Sequence, residues 1–346
     1  MAAGQLIVNA DDFGLDNGRD LGILIGAVLG CITSVSVVVT TPPTIVRRTF
    51  YRILRFLNSR VSIGLHVDLT SARLFSAEGA DGSGLIQIEA GKEFGDKRDF
   101  WMAAHSGRLS HNRIQDEIKC QVRRFIDLFG GPPTHIDGHN HIQVASPEIW
   151  KIFRAFGKDL KCRVRLPSDW SVPPRVACPL VQDSCLTCKR KPRDQQMCKI
   201  EETSLTEDLI AKMRTCRKAD LLLYSRASKG LDCENSCLSF VGTTYGHLRT
   251  ISHLKDVIRN VANSGKVTEL MVHPGLNLAP ARLGGFSNHE RSRELLQIII
   301  IITALRIKHL SIYIWTDLCA RFTICHDSLR LKAATPEIVL ISFKDV

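Results

Sequence analysis

Short apolar, β-branched runs alternate along this chain with longer segments whose apolar residues recur at helical spacing, and no series of hairpins interrupts the alternation. That order favours an α/β fold with a mostly parallel sheet or barrel, because parallel strands need helical crossovers between them. Gln5 to Ala10, Ser34 to Thr40 and Val61 to Leu69 read as strands. Asp16 or Asn17 caps a helix running to about Leu29, and Ile45 to Leu57 reads as another. Residues 71–107 have weak periodicity and several Gly and read as an excursion over the surface. Ser110 to Phe129 is the clearest helix, with Ile114, Ile118, Val122, Phe125 and Leu128 in one stripe and Gly130-Gly131 as its stop. Pro133 to His141 reads as a strand ending in a polar cluster, and Ser146 opens a helix with Glu148 in its first turn. Cys162 to Leu166, Leu221 to Tyr224, Leu238 to Val241 and Glu269 to Val272 read as further strands. A helix from about Ser287 to Lys308 and a strand at Leu310 to Trp315 close the pattern.

Composition narrows the class. Of 346 residues, 44% are apolar and 23% charged, which excludes a disordered chain. The longest apolar stretch, Leu295 to Leu305, contains Gln297 and Thr303 and falls short of the ~20 residues a bilayer span needs. Met1-Ala-Ala-Gly-Gln has no basic segment of the secretory kind. A cytoplasmic protein without a membrane partner is expected, its twelve Cys held as thiols. The net charge of +11 is spread along the chain, with one dense patch at Lys189-Arg190-Lys191 and Arg193. It reads as a weakly basic solvated surface, and no nucleic-acid partner is expected. Cys185, Cys188, Cys198, Cys233 and Cys237 offer only half of a zinc-knuckle spacing. No Gly-rich phosphate loop or Gly-x-Ser-x-Gly elbow occurs.

Polar residues suited to chemistry follow the apolar strands, where an α/β barrel places its active site. Asp11-Asp12 offers one carboxylate for a cation and one for proton transfer, or else a helix cap and a loop acid. His66 and Asp68 share one face of their strand. His135, Asp137, His139 and His141 are spaced by two, so in extended geometry all four face one way. Four ionisable groups on one face make no apolar core; they line water or bind a metal. Imidazole with carboxylate suits Zn, Mn, Fe, Co or Ni, and fewer nitrogens suit Mg. His273 is held at a sharp strand exit by Pro274-Gly275.

These blocks resemble a known family. Ile7-Val-Asn-Ala-Asp-Asp-Phe-Gly, Thr33-Ser-Val-Ser, Ile63-Gly-Leu-His, Pro133-Thr-His-Ile-Asp-Gly-His-Asn-His and His273-Pro-Gly stand in the order and approximate spacing of the YdjC-like carbohydrate deacetylases. The resemblance runs from about residue 5 to 167 and resumes near 267. It implies a modified (β/α) barrel of mostly parallel strands, with the active site at their C-terminal ends. Residues 1–346 then form one domain, with an irregular Cys-rich insertion at about 173–204. It implies removal of an N-acetyl group from an amino sugar or oligosaccharide, with one divalent cation, Mg by family habit and Zn, Mn or Co compatible. By position, Asp12, His66 and His139 are its metal ligands, Asp11 its proton acceptor, and a protonated His273 lies beside the leaving group. Arg165, Asp137 and His141 are the expected substrate contacts. The family often has another His where this chain has Gln143, which bears on substrate contacts and not on the ligands. The expected partner is a small-molecule or oligosaccharide substrate, and a homo-oligomer is compatible. The alternatives are a non-catalytic carbohydrate-binding relative and a zinc-bearing nucleic-acid binder built on the Cys-rich basic segment.

Overall fold

The computed structural model describes residues 4–42, 44–70, 73–77, 85–89, 95–168, 206–211, 217–231, 238–242, 251–276, 291–305 and 338–346. The Cys-rich basic segment and the strand expected at Leu310 to Trp315 lie outside them. Among the described residues, no helix is long and apolar enough to cross a membrane.

The chain builds one main sheet, all of whose pairings are parallel. Its strands are β1 (Gly4–Phe13), β2 (Ser34–Val37), β3 (Ser62–Val67), β6 (His135–Gly138), β7 (Arg163–Val164), β8 (Ser239–Val241), β9 (Val267–Val272) and β10 (Ile338–Leu340). The hydrogen-bonded order is β7-β6-β3-β2-β1-β9-β8, with β10 also pairing β1. Leu6, Val8, Val35, Val37, Ile63, Leu65 and Ile136 are buried at the centre of the core. The sheet curls into a half-barrel. Arg165, just after β7 near one end of the strand order, reaches Glu269 on β9 and stacks 5.6 Å from the Phe240 ring on β8 at the other end.

Local chemistry explains the helices. Asp16 caps Asn17–Val28, Thr44 caps Ile45–Phe56, Ser110 caps His111–Phe129 and Ser146 caps Pro147–Asp159, each side chain accepting from a first-turn amide. Gly130 ends His111–Phe129 in a left-handed conformation, φ 79°. Residues 291–305 are helical, with Leu295, Ile298, Ile301 and Ile302 buried and Leu296 and Ile300 exposed.

Two expectations fail. Leu221 to Tyr224 lies inside the helix Arg217–Ser228, because a four-residue apolar run fits a buried helix as well as a strand. The 71–107 excursion contains an antiparallel hairpin, β4 (Arg73–Ala77) with β5 (Leu85–Glu89), and the helix Lys97–His105. That helix sinks Phe100 and Trp101 into the core, so it is no surface segment.

Candidate active site

The site forms where β1, β3 and β6 end. β1 runs three residues further than its apolar core suggests and takes in both aspartates. Its register against β2 shifts between Ala10 and Phe13, and Asp12 sits at φ 73°, left-handed for a residue other than Gly. This break in the alternation lets the two neighbours serve one cluster. Gly14 follows at φ 100°, where a Cβ would strike the Val38 carbonyl.

Asp12, His66 and His139 each offer a ligand atom within 4.8 Å of the others. His139 Nδ1 lies 2.9 Å and His66 Nε2 3.5 Å from Asp12 Oδ1. The two imidazole nitrogens are 3.3 Å apart. Arg19 and Arg291 both hold Asp12 Oδ2, at 3.1 and 3.3 Å. Oδ1 is buried and receives no well-aligned hydrogen bond. Burial opposes the Asp12 charge, but His139 and Arg19 outweigh it and hold the carboxyl well below its usual range. An ionised oxygen left facing two imidazole nitrogens is the arrangement a divalent cation fills, so these residues fit one. His66 Nδ1 lies 2.7 Å from Asp137 Oδ1, which fixes the ring with Nε2 towards Asp12, as outer carboxylates do for metal-binding histidines. Burial disfavours a charged His66, yet Asp137 and Asp11 push its pKa up to about 10. A cation at Nε2 competes directly with that proton.

Asp11 faces the other way, onto Arg165. The guanidinium grips both of its oxygens, at 2.6 and 2.7 Å, and Asn9 donates to Oδ1 at 2.7 Å. Arg165 also lies 2.6 Å from Asp137 Oδ2 and 2.6 Å from Glu269 Oε1. Three carboxylates thus surround one buried guanidinium. Burial pushes Glu269 up to about 7, with Arg165 pulling the other way. Arg165 and Asp137 were expected at the substrate, but both are buried among protein partners behind Asp11 and His66.

The histidine block splits. β6 ends at Gly138, and the chain turns through a 3-10 segment, His139–Val144, with Asn140 and His141 left-handed at φ 59° and 54°. The shared face therefore covers only His135 and Asp137. His135 points to Ser36 Oγ at 3.0 Å, stacks on Phe343 and is pushed down to about 3 by burial, hence neutral. Its ring occupies the space that a side chain at position 64 would need, which Gly64 leaves open. His141 packs edge-on against Tyr224 at 4.6 Å, and its buried Nδ1 has no hydrogen-bond partner. Burial, Arg165 and Lys97 keep it well below the usual His range. Asp68 does not join His66; it binds Thr40 and the Thr70 amide.

His273 leaves β9 beside the cluster, its amide bonded to Glu294. Although half-buried, its imidazole is pushed down to about 3 by the surrounding protein, with Asp12 and Asp11 only partly opposing this. The surrounding protein thus disfavours the protonated form that the resemblance implies for His273. Gln143 bonds the Arg165 carbonyl at 3.3 Å. Arg19, Arg291, Glu269, Asn9 and Ser36 escaped the sequence reading. Asn9 with Asp11, and Glu269 within an apolar strand, carried a signal of period two; Arg291, in a distant helix, carried none. A separate cavity of about 920 Å³, lined by Lys151, Arg154, Lys158 and Trp150, lies at the opposite ends of β6 and β7.

Known proteins agree with this architecture. The family model described as YdjC-like protein matches residues 5–299. The chain is 35% identical over 162 residues to a chitooligosaccharide deacetylase of Klebsiella pneumoniae (strain 342), covering 46% of this chain and 58% of that one. It is 33% identical over 161 residues to one of Yersinia pestis (strain Pestoides F), with the same coverages. The chain thus spans little more than half the length of these curated relatives. A solved structure from Enterococcus faecalis V583, provisionally assigned as a cellobiose-phosphate cleavage protein, superposes with a TM-score of 0.55 at 17% identity. It covers 86% of this chain and 91% of that one, a likeness of fold alone. With the family match running through both halves of the cluster, from Asp11 to His273, the chain belongs to the YdjC-like family.

Proposed function

We propose that this protein hydrolyses the N-acetyl group of an acetylated amino sugar or oligosaccharide, with one divalent cation held by Asp12, His66 and His139. The observation behind this reading is the ligand triad lying beside a second carboxylate, Asp11, that a guanidinium holds in place. The relatives named chitooligosaccharide deacetylase support the substrate class. Two imidazole nitrogens and one carboxylate oxygen suit Zn, Mn or Co better than the Mg that the resemblance favours.

When bound, the cation supplies Lewis acidity towards the acyl oxygen and the attacking water. Asp11 accepts the proton of that water. Among the described residues its Oδ2 takes one hydrogen bond, from Arg165, and keeps lone-pair capacity for the proton. Two-pronged contact with Arg165 fixes the carboxylate's direction. The departing nitrogen needs a proton as the C–N bond breaks, and Asp11 returns the one it took. His273, being neutral, accepts a hydrogen bond from the amide N–H and orients it. His141, with its unpartnered Nδ1, is the proposed sugar contact. The products are acetate and a free amine. Residues 1–346 are read as one such domain.

The test is acetate release from N,N′-diacetylchitobiose by chelator-stripped protein reloaded with Mg, Mn, Co or Zn. Release with one metal and none without supports the reading. No release with any metal, from protein shown to bind it, sinks it.

A further inference from the structure

The Arg165 guanidinium spans the open side of the half-barrel. Arg165 follows β7, while Glu269 stands on β9 near the other end of the strand order. Glu269 Oε1 takes both the Nε and one Nη of Arg165, at 2.7 and 2.6 Å. The opposite edge of the fork faces Asp11 with both Nη atoms. Arg165, Asp11 and Glu269 side chains are each no more than 3% exposed, so water screens none of these contacts. Arginine's planar fork transmits direction: a carboxylate that fixes Nε also fixes the plane in which the Nη atoms point. No strand pairing joins β7 to β8 or β9 among the described residues; Arg165 ties across that opening through Glu269 and, at 3.6 Å, through Met271 Sδ, both on β9.

We propose that Glu269 is a positioning residue for the deacetylation: it orients Arg165 so that the guanidinium presents both prongs to Asp11. The proposal rests on the catalytic reading of Asp11 above. Its charge also matters to the fold, since Arg165 is buried, so the test must separate orientation from stability.

Glu269→Gln keeps shape and an acceptor at the Oε1 position but removes the charge, which loosens the hold on Nε and Nη. About tenfold lower kcat is expected, with KM and metal content unchanged, because small misplacements of a reacting group are costly. Glu269→Asp, which keeps the carboxylate, is expected to recover part of the loss. The deciding comparison is a double-mutant cycle. If Glu269 acts through Asp11, Glu269→Gln costs nothing further in kcat on an Asp11→Asn background. Multiplying losses overturn the proposal, as does a kcat in Glu269→Gln equal to that of the unchanged protein. A readout without turnover keeps the two readings apart. The Arg165 Nε–H resonance, labelled with 15N, is expected to be protected from exchange in the unchanged protein and to lose that protection in Glu269→Gln. An inert unchanged protein sinks the deacetylase reading while this signal still reports orientation; equal protection in both proteins overturns the positioning role.

Discussion

Asp11 and Asp12 are chain neighbours with the same side chain, yet they stand in opposite surroundings. Asp12 faces two imidazoles and keeps a buried oxygen that receives no well-aligned hydrogen bond; Asp11 faces a guanidinium that grips both of its oxygens. The left-handed backbone at Asp12 and the register shift on β1 make this division possible. One backbone conformation thus gives identical residues the different surroundings on which their proposed roles, ligand and proton acceptor, rest, the kind of strain that folds keep where chemistry needs it.

The sharpest way to break the contrast is on the imidazole side. Asp12→Ala or His139→Ala is expected to weaken metal binding by more than about a hundredfold, beyond the loss that even outer partners cause, with activity lost in parallel. Metal analysis of the purified variants checks it, and full occupancy in His139→Ala removes that residue from the triad. Asp11→Asn is expected to retain the metal while turnover falls by about 10²–10⁴, the range for a lost acid–base group. Unchanged acetate release would return Asp11 to a structural role.

The guanidinium side has its own signature, which is stability. Arg165→Met leaves three buried carboxylates facing one another and is expected to cost about 3–5 kcal/mol in urea unfolding, as for other buried pairs broken on one side. A loss as small as that of an exposed pair would contradict the observed burial.

A subtler effect concerns His135. Its folded pKa of about 3 lies below the ordinary 6.5, so the unfolded chain binds the extra proton between those values. Its contribution to stability is intact above pH 6.5 and declines as pH falls towards 3. His135→Gln has no such proton to take up. Its destabilisation relative to the unchanged protein is therefore expected to shrink by about 2 kcal/mol between pH 7.5 and pH 5, read from paired urea titrations. Smallest is His141→Leu, expected to raise KM about threefold with metal content and kcat unchanged, the size of one lost hydrogen bond.

Much of the scaffold was legible in local pattern. Capping residues Asp16, Thr44, Ser110 and Ser146 stand at the helix starts, and the Ile114 to Phe125 stripe is buried as its spacing implies. Leu221 to Tyr224 misled because four residues do not distinguish a strand from a buried helix turn. The histidine block misled for a related reason: alternation by two holds only while the chain is extended, and β6 stops at Gly138.

The sequence by itself determined which groups had to be kept from an apolar core, and that they gather after the strands. Residue chemistry and strand period suffice for that, because both are local. Tertiary structure alone decided the partners. Arg291 reaches Asp12 from a helix remote in sequence, Glu269 meets Arg165 across the open barrel, and the protein packed around His273 pushes its pKa down. Charge state and orientation depend on what lies within a few ångströms in space, and chain order does not encode that distance.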